Sequence, residues 1–144
     1  MTLTLEHART IIAKAREKGR QMRLKPLSVV VLDPGGHVIA FEREDGASPG
    51  RFGIAHGKAY GAAMLHMGGR AQAARVDTGA GGAAFMAAVN GVHGGATVPV
   101  PGGVLVRDAK GAVIGAVGVT GDLSDNDAEA AVAGIEAAGL KAEA

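Results

Sequence analysis

Side chains able to bind a metal or move a proton are concentrated in one stretch, RFGIAHGKAYGAAMLH (51–66). An imidazole donates to transition metals and also titrates near neutral pH, while thioether and phenol groups are further metal donors. Because the chain has no cysteine, thiolate zinc sites, disulfides and thiol nucleophiles are excluded. The possible donors are His56, Tyr60, Met64 and His66, and the cations beside them are Arg51 and Lys58.

The two histidines of this stretch cannot bind one ion from the same side. His56 and His66 are ten residues apart, which is about 280° around a helix. Each would therefore act alone or with a partner from another subunit. His93 is a third candidate, since its loop must pass near the following strands. We take His56 as the metal ligand, with a hydrogen-bonded structural role or an interface contact as the alternative.

A second group of polar residues stands where two predicted strands end. Arg43 and Asp45 should point to one face of a half-buried strand. They would face Thr120, Gly121 and Asp122 at the end of a later strand. An arginine held by a carboxylate can bind an anionic substrate through two parallel hydrogen bonds. The alternative interpretation is a salt bridge at the strand end.

Together these side chains allow a cofactor-independent enzyme. A histidine base beside an arginine that holds an anion would serve an isomerase, lyase or hydratase acting on a small carboxylate. The sequence contains no nucleophile elbow, paired-histidine metalloprotease helix or Walker loop. A structural accessory subunit is a further interpretation, so the residues alone leave open whether the protein is an enzyme. The candidate catalytic residues are Arg43, Asp45, His56 and His93.

Two stretches of similar layout would position these residues. SVVVLDPGGHVIAFERED (28–45) and the later PGGVLVRDAKGAVIGAVGVTGD (101–122) place Asp, Gly, Val and Ile at matching offsets. Turn-forming residues follow Asp33 and Asp108, so each stretch predicts a β-hairpin. The predicted strands are 27–33 with 37–43, and 103–107 with 112–120.

Helical periodicity surrounds these hairpins. Apolar residues at spacings of three, four and seven predict a helix over 5–22 with Thr4 as its N-cap. The stretch 69–90 is expected to be helical in two pieces broken near 77–82, with Phe85, Met86 and Val89 buried and Asn90-Gly91 at its end. Two further helices are predicted, one from Ser48 (N-cap) and Pro49 to about Met67, and one capped by Ser124.

Glycine recurs every fourth residue on the helix that begins near Ser48. Gly53, Gly57 and Gly61 would each cost roughly 1 kcal/mol relative to alanine in a helix interior. Such a ridge without side chains lets a neighbouring backbone, or a flat ligand, approach closely. A neighbouring helix or sheet is the commoner partner.

Composition limits the classes of partner. A chain of 144 residues fits one domain, 1–144, and its formal charge of +1 leaves no excess of cations for a nucleic-acid backbone. No stretch approaches the length of apolar sequence that spans a membrane. The amino terminus has no uninterrupted apolar segment typical of a secretion signal, so a cytoplasmic location is expected by default.

Strand pairs separated by helices indicate an α+β fold. Five segments make the chain specific enough to resemble the GlcG/HbpS-like haem-degrading family, which includes the C-terminal domain of PduO-type adenosyltransferases. The segments are LTLEHA, VVVLDPGGHVIAFEREDGA, IAHGKAYGAA, PVPGGVLVRDAKGAVIGAVGVTGD and DNDAEAAVAGIEAA. The resemblance implies a profilin-like or PAS-like α-β-α fold, with a five-stranded antiparallel sheet flanked by helices, assembled as a homo-oligomer.

The resemblance also implies a small-molecule or tetrapyrrole ligand, with haem as the cofactor. Haem requires an axial donor, an apolar slot and cations near its propionates. We place this ligand between the glycine-bearing helix and the sheet. The residues expected to bind it are His56, Lys58, Tyr60, Met64, His66, Gly102, Gly103 and Thr120.

Overall fold

The computed structural model describes residues 1–144 and contains five helices and five strands. All strand pairs are antiparallel and form one sheet in the order β2-β1-β4-β3-β5. The five-stranded antiparallel α+β fold expected from the resemblance is therefore confirmed. The elements are α1 (Leu5–Gln21), β1 (Ser28–Leu32), β2 (Val38–Arg43), α2 (Arg51–Leu65), α3 (Gly69–Val76), α4 (Ala80–Val92), β3 (Gly103–Arg107), β4 (Val113–Thr120), α5 (Ser124–Ala137) and β5 (Lys141–Glu143).

Both predicted hairpins form, and their turns are built alike. Asp33 Oδ1 accepts hydrogen bonds from the backbone N–H groups of residues 35 and 37, and Asp108 Oδ1 accepts them from residues 110 and 112. Gly36 and Gly111 then take positive φ values of 85° and 87°, which glycine adopts without steric cost. The aspartate and glycine at matching offsets therefore specify the same turn twice.

The sheet is covered on both faces, so its central strands are almost wholly buried. Alternate side chains of β1 enter two separate cores. Val29 and Val31 pack with α1 and α5, whereas Val30 and Leu32 pack with α2. Both cores consist of aliphatic side chains, including many alanines, which places the helices close to the sheet.

The helix boundaries follow the sequence in part. Thr4 caps α1 as expected, because its hydroxyl accepts the His7 N–H while the His7 ring accepts the Thr4 N–H. The prediction of Ser48 and Pro49 as the start of α2 is wrong: residues 49 and 50 form a turn, and the helix begins at Arg51 without a side-chain cap. The Ser48 carbonyl instead accepts the Arg51 N–H at 3.2 Å.

Two other expectations about the helices need correction. Ser124 is the first residue of α5 and does not cap it, since Leu123 occupies the N-cap position. The stretch 69–90 does split into two helices, α3 and α4, and α4 extends to Val92. Of the residues expected to be buried there, Met86 is buried, Val89 is half-buried and Phe85 is 46% exposed. Phe85 lies under the Arg75 guanidinium and not in a core, because α4 packs mainly on α3.

Candidate functional site

The packing of α2 against the sheet determines which side chains of the helix are accessible. Ala55 and Ala59 face the sheet, and Gly118 of β4 lies directly beneath the Ala55 carbonyl oxygen. No space for a ligand remains between helix and strand there. The expected position of a ligand between α2 and the sheet is thus filled by the protein itself.

One flank of α2 carries a row of aromatic rings that faces the edge strand β2. The rings of Phe52, His56 and Tyr60 follow one another at i, i+4 spacing, with centroids 5.8 Å and 5.4 Å apart. Phe41 of β2 meets Phe52 edge-on at 4.8 Å, and His93 meets Tyr60 edge-on at 5.9 Å. We call Phe41, Phe52, His56, Tyr60 and His93 the aromatic row.

The aromatic row lies at the surface and contains two of the five histidines and the one tyrosine of the chain. Phe52 is exposed, while His56, Tyr60 and His93 are half-buried. The imidazole of His56 and the ring of Tyr60 are stacked, with an angle of 21° between their planes. Met64 is half-buried one turn further on and, like Tyr60, lies against Gly36 of the first hairpin. The structure thus brings together His56, Tyr60, Met64 and His93.

His66 does not join this row. It ends α2 in the left-handed conformation, with φ 49°, and its side chain is exposed. The helix α2 thus ends at Leu65, two residues before the expected end near Met67.

The two phenylalanines of the row were not identified as site residues from the sequence. The chain has only three Phe and one Tyr, and Phe52 precedes His56 by one helical turn. That spacing was a usable signal, whereas the contribution of Phe41 depends on how β2 lies beside α2.

The row of glycines on α2 is covered mainly by another part of the same chain. A β-carbon at Gly57 would come within 2.7 Å of the Ala96 carbonyl oxygen, and one at Gly61 would come within 3.1 Å of Gln72. Gly53 alone faces open space. The segment 96–98 therefore packs against Gly57, and α3 packs against Gly61. No flat ligand fits at these two glycines.

Lys58 lies on the opposite flank of α2 and is buried. Its ammonium donates to the Val119 carbonyl at 3.0 Å and to Asp127 at 3.1 Å. Burial lowers the pKa of Lys58 and raises the pKa of Asp127, while their mutual attraction opposes both shifts. Gly102 and Gly103 pack against Lys58. Lys58, Gly102 and Gly103 were expected to bind the ligand, but Lys58 forms an internal ion pair, the two glycines pack against it, and none of the three is part of the aromatic row.

Arg43 and Thr120 flank one residue of β1, as the matched hairpins indicated. Ser28 pairs with Arg43 on one side and with Thr120 on the other, so all three lie at the same end of the sheet. Alternation places Arg43 and Thr120 on the α2 face. There, the Thr120 hydroxyl accepts a hydrogen bond of 2.9 Å from Arg51.

Asp45 lies apart from Arg43, contrary to the expected alternation. The strand β2 ends at Arg43, so alternation does not extend to Asp45. Asp45 and Glu44 instead line a cleft beside α1 together with Arg16 and Arg20, and Glu44 accepts a hydrogen bond from Arg16. The four candidate catalytic residues are therefore not gathered at one place.

Four surface cavities occur in the structure, and none of them is lined by a residue of the aromatic row. No group of three His, Asp or Glu side chains is close enough to hold a metal ion. Any metal at His56 would consequently need further ligands from a cofactor or another subunit. None of the five helices combines the length and the apolar character required to cross a bilayer.

Comparison with known proteins gives one family and a set of similar structures. The family model described as "Haem degrading protein HbpS-like" matches residues 3–136. No curated protein matches the chain.

The similar structures share the fold over nearly the whole chain. The crystal structure of HbpS is 30% identical, with a TM-score of 0.78 over 93% of this chain and 88% of that one. The PduOC:haem complex is 20% identical, with a TM-score of 0.83 over 97% of each chain. The Klebsiella pneumoniae protein ORFY is 24% identical, with a TM-score of 0.82 over 96% and 92%.

Proposed function

Because the chain belongs to the HbpS-like family of haem-degrading proteins, we propose that it binds haem or a related tetrapyrrole on the aromatic row. The observation that carries the proposal is the stacked pair of His56 and Tyr60, flanked by further rings, on an accessible flank of α2. PduOC has the same fold and was solved with haem, which supports the choice of ligand.

The residues of the row supply haem with an axial donor and with aromatic contact on one side. His56 is the proposed axial donor, because an imidazole is the commonest protein ligand of haem iron. Tyr60, Met64 and His93 are further donors within the same group, and Phe41 and Phe52 offer aromatic surface to the macrocycle. Bound there, haem would supply a redox-active iron, while the protein would supply the donor and the apolar contact.

The row is an open surface, so one chain supplies only one wall of a haem slot. We therefore propose that a second copy of the chain covers the other side of the tetrapyrrole, in a homo-oligomer. Helix α4 supports self-association, because it carries no charged residue and yet leaves Phe85 and Val92 exposed. Exposed apolar surface of this kind is typical of a protein–protein contact.

The alternative of a cofactor-independent enzyme acting on a small carboxylate is not favoured by the comparisons. The structure adds a physical reason, because Asp45 lies beside α1 while His56 and His93 lie in the aromatic row. An arginine and its partner carboxylate are thus not assembled beside a histidine base.

Titration with haemin tests the proposed function. We expect the wild-type protein to give a Soret band that saturates with haemin, and His56→Ala to bind at least about tenfold more weakly. His7→Gln is the matched control, because glutamine at that position preserves the capping box of α1. Equal binding by wild type and His56→Ala, or no saturable band in the wild type, would overturn the proposal.

A further inference from the structure

A second accessible site lies at the end of the sheet, away from the aromatic row. Two adjoining clefts of about 220 and 460 Å³ share the residues Lys25, Arg51 and Gly121. The smaller cleft is also lined by the segment from Gly46 to Ser48, and the larger by Asp122 and Leu123. Arg51 and His56 are five residues apart on α2, which is about 140° around the helix, so this cleft and the row open on different flanks.

Arg51 is oriented in the cleft without being neutralised. Its Nη1 donates to the hydroxyl of Thr120 at 2.9 Å, and Thr120 is itself buried. No carboxylate forms a salt bridge with Arg51. A half-buried guanidinium that bonds a neutral acceptor keeps its full charge and retains further N–H donors.

Lys25 adds a second cation at the same place. Its side chain is exposed and forms no salt bridge. Its backbone N–H, by contrast, donates to Asp122 at 3.0 Å, which fixes the start of the segment 25–27. Lys25 and Arg51 therefore line both clefts with positive charge, and backbone at Gly46 and Gly121 leaves space between them.

One acidic residue, Asp122, borders the larger cleft, where its negative charge offsets part of the positive charge of Lys25. It accepts hydrogen bonds from the N–H groups of Lys25 and Leu123 and from the Asn126 amide. The smaller cleft has two cations and no acid among its lining residues. An anion in the smaller cleft would therefore meet a net positive charge.

We propose that the cleft between Lys25 and Arg51 is a binding site for a small oxyanion, either the carboxylate group of an organic acid or inorganic phosphate. Arg51 presents parallel N–H donors to two oxygens of the anion, and Lys25 adds a point charge at the entrance. Thr120 is a positioning residue, because its hydroxyl holds the guanidinium in place. This site goes beyond haem binding and does not depend on it.

Isothermal titration calorimetry at constant ionic strength tests the site, with sodium phosphate in one arm and sodium malonate in the other. We expect saturable binding of one or both anions, and the tighter one identifies the class of ligand. Arg51→Gln should weaken binding about tenfold or more, since it removes the charge-assisted hydrogen bonds to the anion. Lys25→Gln should weaken it less, because that side chain is exposed.

Arg9→Gln is the matched control, because Arg9 is exposed on α1 and does not line either cleft. Far-ultraviolet circular dichroism establishes whether Arg51→Gln is folded; if it is not, Lys25→Gln and Thr120→Val carry the test. Saturable binding that is weakened in the cleft variants and unchanged in Arg9→Gln supports the proposal. Absence of saturable binding in the wild type, or equal weakening by Arg9→Gln, overturns it.

Discussion

The ammonium of Lys58 lies 3.1 Å from the carboxylate of Asp127, and the two side chains are only 3% and 1% exposed. This ion pair joins α2 to the first turn of α5 at the end of the sheet where β4 finishes. Asp127 also accepts the Asp122 N–H at 3.0 Å, and Lys58 donates to the Val119 carbonyl. The pair is thus hydrogen-bonded on both sides, which a buried charge requires.

Removing one partner of this pair should strongly destabilise the fold. Lys58→Met leaves the Asp127 carboxylate buried without a cation, and we expect the free energy of unfolding to fall by about 3–5 kcal/mol. The double variant Lys58→Met with Asp127→Asn should recover part of that loss, since no charge is then buried. Urea unfolding measures both values; a loss below about 1 kcal/mol in the single variant would contradict the inferred role.

Substitution of the glycine beneath α2 should separate the helix from the sheet. The added β-carbon of Gly118→Ala would collide with the Ala55 carbonyl oxygen, so we expect a destabilisation of about 1–3 kcal/mol. Gly53→Ala is the matched control, because Gly53 lies on α2 and a β-carbon there would meet no other atom. This substitution should be neutral or stabilising by up to about 1 kcal/mol. Thermal unfolding distinguishes the two variants. Equal unfolding midpoints for Gly118→Ala and Gly53→Ala would show that α2 shifts away from the added β-carbon without loss of stability.

The hydroxyl of Ser28 should contribute little to stability. Ser28 is fully buried, and its Oγ has no hydrogen-bond partner. Replacing such a group by a nonpolar one removes an unsatisfied polar atom, so Ser28→Ala should be neutral or more stable by up to about 1 kcal/mol. Chemical denaturation provides the measurement. A loss greater than about 1 kcal/mol would instead indicate that the hydroxyl is satisfied.

Asp122 should give the protein part of its sensitivity to acid. Its hydrogen bonds from Asn126, Lys25 and Leu123 hold its pKa at about 2, below the ordinary 3.8. Between these values the unfolded chain binds more protons, so stability rises with pH. The contribution is present above about pH 4 and is lost as the pH falls toward about 2.

Urea unfolding of wild type and Asp122→Asn at several pH values measures this contribution. We expect the variant to be less stable near neutral pH and the difference to narrow as the solution becomes acidic. Other carboxylates with lowered pKa, such as Asp33 and Asp108, affect both proteins alike. A difference that stays constant with pH would mean that the charge of Asp122 is not involved.

A charge placed on α4 should disturb self-association. Val92 is 80% exposed at the end of a helix without charged residues, and we expect Val92→Glu to lower the molar mass measured by light scattering. Ala13→Glu is the matched control, because Ala13 is exposed on α1 among charged residues. If the wild type is monomeric, or if both variants keep the wild-type mass, α4 is not the contact.

Much of the local structure followed from the sequence. The repeated aspartate and glycine offsets specified both hairpin turns, and apolar periodicity identified the helices, because hydrogen bonding in a turn and the pitch of a helix are local properties. The errors also arose locally: Ser48 and Ser124 have the side chains of an N-cap, but neighbouring backbone contacts started the helices at other residues.

Only the tertiary structure decided how these elements cover one another. From the sequence, His56 and Tyr60 were expected as donors and Lys58 as a ligand-binding residue; the fold placed the first two in the row with Phe41 and buried the third against Asp127. The spacing of residues along a helix determines which flank each side chain takes. What lies opposite that flank depends on the path of distant parts of the chain, as with segment 96–98 over Gly57, and local patterns do not encode that path.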